Sequence, residues 1–237
     1  MKFRFLYLLS LFLFANSVNA QSVLHVNAKE FKRLLVSDNS ILLDVRTPEE
    51  TASGLLGNAS AINFYDSDFE RKLSLIQKDK TVFVYCRSGG RSLKAAEKLI
   101  ELGQAKVYNL KGGLGAWQAE GFSVSQALAT KDLAIKSLTI PAFNTIVSTN
   151  EMVLADFHTQ WCVPCKKLVP IITELEIEFG DSISFLRIDI DESKDLSVEY
   201  DIVAVPTLVL FKNGEIVWRN TGLLSKEALK AVLFEYR

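Results

Sequence analysis

The side chains best suited to chemistry in this 237-residue chain are its three cysteines, which fall in two groups. Cys162 and Cys165 stand in Trp161-Cys162-Val163-Pro164-Cys165, after an apolar run at 152–157 and ahead of a helix-like stretch. Such a pair could bind a metal, close a structural disulfide or act as a redox dithiol. A zinc site needs four ligands and normally a second pair. The other candidates, Cys86, His25 and His158, have no paired spacing, so no metal is expected. A purely structural disulfide across two residues removes little chain entropy. The dithiol reading has more chemistry behind it. At a helix N-terminus, Cys162 meets the positive end of the dipole and N–H groups that stabilise a thiolate. As the outer cysteine it can attack a disulfide, and Cys165, one turn in, can resolve the mixed disulfide. Pro164 sets the first turn without costing a needed hydrogen bond.

Cys86 opens a second constellation, Tyr85-Cys86-Arg87-Ser88-Gly89-Gly90-Arg91-Ser92. A strand, a glycine-containing loop and a helix N-terminus form an anion cradle, because backbone N–H groups converge on one point. Arg87 and Arg91 add positive charge, and the same field depresses a thiol pKa. The loop suits a thiolate that meets an anionic substrate or carries a terminal persulfide. The plainer alternative is a buried core cysteine beside a turn. A cysteine phosphatase would place an arginine six residues after the cysteine. Here that position is Ser92 and the arginine comes at 91, a shorter cradle that favours a sulfur-sized group.

Two strand–helix series must position these groups. In the first, 41–45, 81–85 and 107–110 read as short buried strands of the kind found in parallel sheets. Residues 92–102 read as a helix stopped by Gly103, with a short helix around Trp117. The second series predicts a helix at 141–148, a strand at 152–157 and a helix at 162–179 interrupted by Pro170. A strand at 183–190, a helix at 193–200 and a hairpin of 207–211 with 216–219 about Asn213-Gly214 follow. Ser225 caps a last helix. The fold class is α/β with two domains, 21–124 and 136–237, joined by a linker at 125–135.

Hydrophobic residues make up 49% of the chain and charged residues 23%, with a formal net charge of −1, so a nucleic acid partner is not expected. Lys2 and Arg4, an apolar run at 5–14 and the ending Val18-Asn19-Ala20 have the layout of a secretory signal over 1–20, cleaved after Ala20. The rival is an uncleaved anchor, for which the apolar run is about half the ~20 residues that a spanning helix needs. A periplasmic or secreted protein is the expectation.

From about 134 onward the chain resembles thioredoxin, on Asp156-Phe157, Trp161-Cys162-Val163-Pro164-Cys165-Lys166, Asp189-Ile190-Asp191, Val205-Pro206-Thr207 and Gly222. The resemblance implies a mixed central sheet. It makes Asp156 the buried carboxylate that takes the Cys165 proton through a burial-raised pKa. Pro206 becomes a cis-proline whose neighbouring backbone grips an extended substrate, and Trp161 both fills the core and edges the substrate surface. Val163 replaces the usual glycine, and His158 stands where an aromatic is usual, read as a partly buried ring.

Over about 22–124 the chain resembles single-domain rhodaneses, on the Cys86 loop, Asp44-Val45-Arg46-Thr47-Pro48-Glu49-Glu50 and Gly112-Gly113…Trp117. The resemblance implies a parallel sheet, with Asp44 and Arg46 bracing the loop and residues 87–92 binding substrate. Cys86 would take sulfane sulfur from thiosulfate or a persulfide. Gly54-Leu55-Leu56 departs from the usual Gly-His-Ile. Together the resemblances imply an exported thiol–disulfide oxidoreductase fused to a sulfurtransferase. Its partners would be a sulfane-sulfur donor, protein or small-molecule disulfides and an unidentified electron donor, and no cofactor is called for. The alternative is a general disulfide reductase whose N-terminal half is a non-catalytic docking module.

Overall fold

The computed structural model describes residues 22–35, 40–125 and 137–237. The expected signal segment and nearly all of the expected linker lie outside these residues.

The first sheet holds β1 (Leu24–Val26), β2 (Ser40–Asp44), β3 (Ser60–Ala61), β4 (Thr81–Tyr85) and β5 (Lys106–Leu110). Their order is β1-β5-β4-β2-β3 and every pairing is parallel. Helices α1 (Ala28–Leu34), α2 (Pro48–Thr51), α3 (Phe69–Ser74) and α4 (Gly90–Glu101) connect the strands, and α5 (Gly113–Ala119) follows β5. Successive side chains of a strand point to opposite faces, and β4 shows why its residues 82–85 are apolar or aromatic on both faces. Val82, Val84 and Cys86 join the cluster containing Ala95, Ala96 and Leu99 of α4. Phe83 and Tyr85 join the opposite cluster with Phe31 and Trp117. The sequence reading omitted β1 with α1, and β3 with α3. A three-residue strand has too little pattern to be recognised, although Asn27 caps α1 by accepting the Glu30 amide at 3.0 Å.

The second domain contains α6 (Ile140–Thr149), β6 (Met152–His158), α7 (Val163–Phe179), β7 (Ser184–Asp189), α8 (Lys194–Glu199), β8 (Thr207–Lys212), β9 (Glu215–Thr221) and α9 (Lys226–Tyr236). Sheet order is β7-β6-β8-β9, parallel between β6 and β7 and antiparallel elsewhere, so the sheet is mixed. Val153, Ala155 and Phe157 of β6 face the cluster that holds Cys162 and Cys165. Met152 and Leu154 face the cluster of α7 and α9. The expected interruption at Pro170 is not found: α7 runs continuously through it. A proline fits helical φ and removes one hydrogen bond, and burial of Leu168, Ile172 and Leu175 on the inner face holds the helix together.

The two domains are in contact. Leu75, just beyond α3, is part of the apolar cluster around Cys162, and Trp161 packs against the cluster that contains Cys86. Among the described residues, no helix is long and apolar enough to cross a membrane.

Candidate active sites

Cys86 leaves the C-terminal end of β4 and its Sγ is ringed by donors from the turn into α4. The Gly89 amide donates to it at 3.1 Å and the Ser92 hydroxyl lies at 3.5 Å. Gly89 takes φ +96°, a left-handed conformation that lets the loop double back onto the sulfur. Burial alone would raise the Cys86 pKa. Hydrogen bonds from the Ser92 hydroxyl and from the amides of Ser92, Ser88 and Gly89 outweigh it, and the net direction is down. Cys86 is 1% exposed, whereas Arg87, Ser88 and Gly90 are exposed on the loop's rim.

A second turn buttresses this loop from below. The Leu114 amide donates to the Cys86 carbonyl at 2.8 Å and the Gly115 amide to the Arg87 carbonyl at 3.1 Å. A Cβ on Gly113 would lie 2.4 Å from the Cys86 carbonyl oxygen. The Gly112-Gly113 motif is therefore a close-approach requirement, not merely a helix start.

Arg91 is engaged differently from Arg87. Its guanidinium pairs with Glu50 at 2.6 and 2.8 Å, and Glu50 was part of the first motif without a partner in the sequence reading. Behind them, Asp44 and Arg46 form a buried ion pair, with Nε at 3.0 and 2.9 Å from the two carboxylate oxygens. Arg46 also donates to the carbonyls of Glu50 and Gly54. The pair thus ties the strand end to the α2 turn. Leu55, at the departure from Gly-His-Ile, is buried in the apolar cluster with Trp117, and the Leu56 amide donates to the Tyr85 hydroxyl at 2.9 Å.

Cys162 and Cys165 form a disulfide at the N-terminus of α7. Cys162 is the N-cap, and its sulfur accepts the Cys165 amide at 3.1 Å. Asp156 is 1% exposed in β6 and pairs with Arg187 of β7, Nε to Oδ2 3.1 Å. Sequence reasoning missed Arg187, whose place opposite Asp156 is set by the β6–β7 register. His158 is fully buried, deeper than the partly buried ring expected. The Trp161 indole donates to Asp191 at 2.9 Å. The Val205–Pro206 peptide is cis, and the Pro206 carbonyl accepts the Gly222 amide at 2.8 Å.

Cys162 was expected to be outermost, but it is only 3% exposed. The N-terminal domain covers it: Ile41, Ser60, Leu75 and Ile76 line a cavity of about 10 Å³ with Cys162 and Val205. The two cysteine sites are not brought together. Ile41, beside Cys162, pairs with Val82, and Val82 precedes Cys86 by four residues, roughly 13 Å of extended strand. Among the described residues, no cluster of three or more His, Cys, Asp or Glu side chains is placed to hold a metal ion.

The family model for Thioredoxin matches residues 134–235, and that for the Rhodanese-like domain matches residues 27–120. Thioredoxin of Bacillus subtilis (strain 168) is 38% identical over 101 residues, covering 43% of this chain and 96% of its own length. Thioredoxin of Rickettsia prowazekii (strain Madrid E) is 41% identical over 86 residues, covering 36% of this chain and 82% of its own. The Cys162–Cys165 disulfide lies within the first matched region, and strands β2 to β5 of the parallel sheet lie within the second. The chain belongs to the thioredoxin family and is a thiol–disulfide oxidoreductase with a rhodanese-like, sulfurtransferase-like domain ahead of its thioredoxin domain.

Proposed function

We propose that Cys86 carries sulfane sulfur and that the Cys162/Cys165 dithiol reduces the resulting persulfide, as well as other disulfides, in an exported protein. The observation that carries the first part is the ring of donors around the Cys86 sulfur, which lowers its pKa and favours a nucleophilic thiolate. The Cys86 thiolate attacks the outer sulfur of thiosulfate. An S–S bond forms, the thiosulfate S–S bond breaks and sulfite leaves. Arg87 and the loop amides of residues 88–92 meet the anionic donor, while Arg91 contributes its charge from within the Glu50 pair. Asp44 and Arg46 hold the loop from behind.

The dithiol supplies the two electrons that removal of the sulfur requires. The Cys162 thiolate attacks the Cys86 sulfur and expels hydrosulfide, leaving a Cys86–Cys162 disulfide. Cys165 then attacks Cys162, releases Cys86 as a thiol and closes the 162–165 disulfide. Asp156 is the group assigned to accept the Cys165 proton, and an external thiol donor regenerates the dithiol. Trp161 and the backbone beside Pro206 position disulfide substrates. The separation of the two sulfurs in the docked arrangement means that this transfer proceeds after the domains part. Export rests on the charged start, apolar run and Val18-Asn19-Ala20 ending.

The test is single-turnover sulfide release from protein loaded with thiosulfate, with mass spectrometry locating one added sulfur atom on Cys86. Cys162→Ser must slow release by at least about tenfold. Equal rates in parent and variant would sink the coupling. A second reading, in which the N-terminal domain only docks, is favoured by its packing over Cys162. It is selected if disulfide reduction is intact and Cys86 never acquires sulfur.

A further inference from the structure

Val205 is the residue immediately before Pro206, and it lines the same small cavity as Cys162. Both of its main-chain polar groups are taken by the other domain. Its amide donates to the Leu75 carbonyl at 3.1 Å, and its carbonyl accepts the Gln77 side-chain amide at 3.1 Å. A free backbone N–H and C=O beside a reactive sulfur are what an extended polypeptide adds to when it docks. Here residues 75–77, just after α3, already occupy that edge.

The side chains agree with the backbone. Leu75 is buried among Phe157, Cys162, Cys165 and Val205, an apolar anchor set against the disulfide. The Val163 amide, between the two cysteines, donates to the Ser60 hydroxyl at 3.4 Å. Arg71 pairs with Asp191, the same carboxylate that holds the Trp161 indole. Gly222 comes so close that a Cβ there would meet the Gln77 oxygen at 3.1 Å. The space left beside Cys162, about 10 Å³, is at the lower limit for a single water. No disulfide-bearing loop reaches the sulfur in this arrangement.

We infer that the rhodanese-like domain is a tethered inhibitor of the thioredoxin domain, with Leu75–Gln77 occupying the edge that a protein disulfide must use. Being in the same chain, the segment acts at a high effective concentration. The apparent affinity for a substrate is therefore reduced by the fraction of molecules that are open. A substrate protein, or a partner that draws the rhodanese-like domain away, uncovers Cys162.

This inference rests on the oxidoreductase activity, and the test separates the two. Full-length parent and the Arg71→Ala/Gln77→Ala variant are compared in reduction of the insulin disulfides and in amide hydrogen exchange. The variant is expected to raise kcat/KM for insulin about fivefold, in proportion to the open fraction. The amides of Val163 and Val205 should exchange faster while those of β4 and β6 keep their protection. Unchanged exchange at Val205, or faster exchange with no gain over a measurable parental rate of insulin reduction, overturns the inhibition. If β4 or β6 loses protection, the variant has unfolded, and Gln77→Ala alone decides by the same two readouts. Faster exchange with no insulin reduction by either protein supports the docking and removes the oxidoreductase reading instead.

Discussion

The guanidinium of Arg91 grips the Glu50 carboxylate with two hydrogen bonds, Nη1 to Oε2 at 2.6 Å and Nη2 to Oε1 at 2.8 Å. The pair joins the capped first turn of α2 to the first turn of α4, and so fixes the far side of the Cys86 loop. Hydrogen bonding to Arg91 holds the Glu50 pKa down to about 2, against an ordinary 4.5. A lowered folded-state pKa contributes stability that is fully present above 4.5 and is lost as pH falls toward 2. Glu50→Gln should therefore flatten the acid limb of the stability–pH curve between those values. It should cost about 1 kcal/mol at neutral pH, the full shift being discounted for screening at a partly exposed site. Urea titrations at several pH values check this, and an unchanged acid limb would contradict it.

Among the described residues, Ser92 supplies the side-chain donor to the Cys86 sulfur. Burial raises this thiol's pKa, and the Ser92 hydroxyl and the loop amides bring it down. Ser92→Ala should move the pH profile of Cys86 alkylation to higher pH, measured in protein whose other two cysteines are held as a disulfide. The reactive fraction at neutral pH should fall roughly two- to tenfold, the equivalent of one hydrogen bond of about 0.5–1.5 kcal/mol. A profile that stays in place would mean that the amides alone set the thiolate.

Gly113→Ala attacks the loop from beneath. The added methyl would fall 2.4 Å from the Cys86 carbonyl oxygen and 2.7 Å from the Arg87 carbonyl, at a backbone with φ +57°. Main chain, not a flexible side chain, has to yield. The expected loss is about 2–4 kcal/mol from overpacking and left-handed backbone together. Slower reaction of Cys86 should accompany it, since the amides that face the sulfur must shift. Thermal melts and alkylation rates on the same sample test both.

Local chemistry was legible in the sequence and long-range pairing was not. The redox turn, the Cys86 loop, the Ser225 cap and the Asn213-Gly214 hairpin each depend on residues a few positions apart, and each stands where the pattern put it. The partners that complete the sites come from far away in the chain. Glu50 reaches Arg91 across 41 residues, Asp156 reaches Arg187 across 31, and Gln77 reaches Val205 across 128. Sheet register and domain docking decide such contacts, and no periodicity encodes them. Three-residue β1 and two-residue β3 escaped for a different reason, because segments that short carry no usable alternation.

Arg187 is the partner of Asp156 that the sequence did not disclose, and their ion pair makes a separable prediction. The carboxylate is 1% exposed and the guanidinium largely buried. Removing one member of a buried pair leaves the other without its countercharge, at about 3–5 kcal/mol, whereas replacing both by neutral groups costs far less. Arg187→Met should therefore destabilise the thioredoxin domain by about 3 kcal/mol, and adding Asp156→Asn should recover at least half of that. The double variant separates stability from chemistry. If Asp156 accepts the Cys165 proton, insulin reduction stays slow in the restabilised protein and its dependence on pH flattens. If the carboxylate serves only to pair with Arg187, activity returns together with stability.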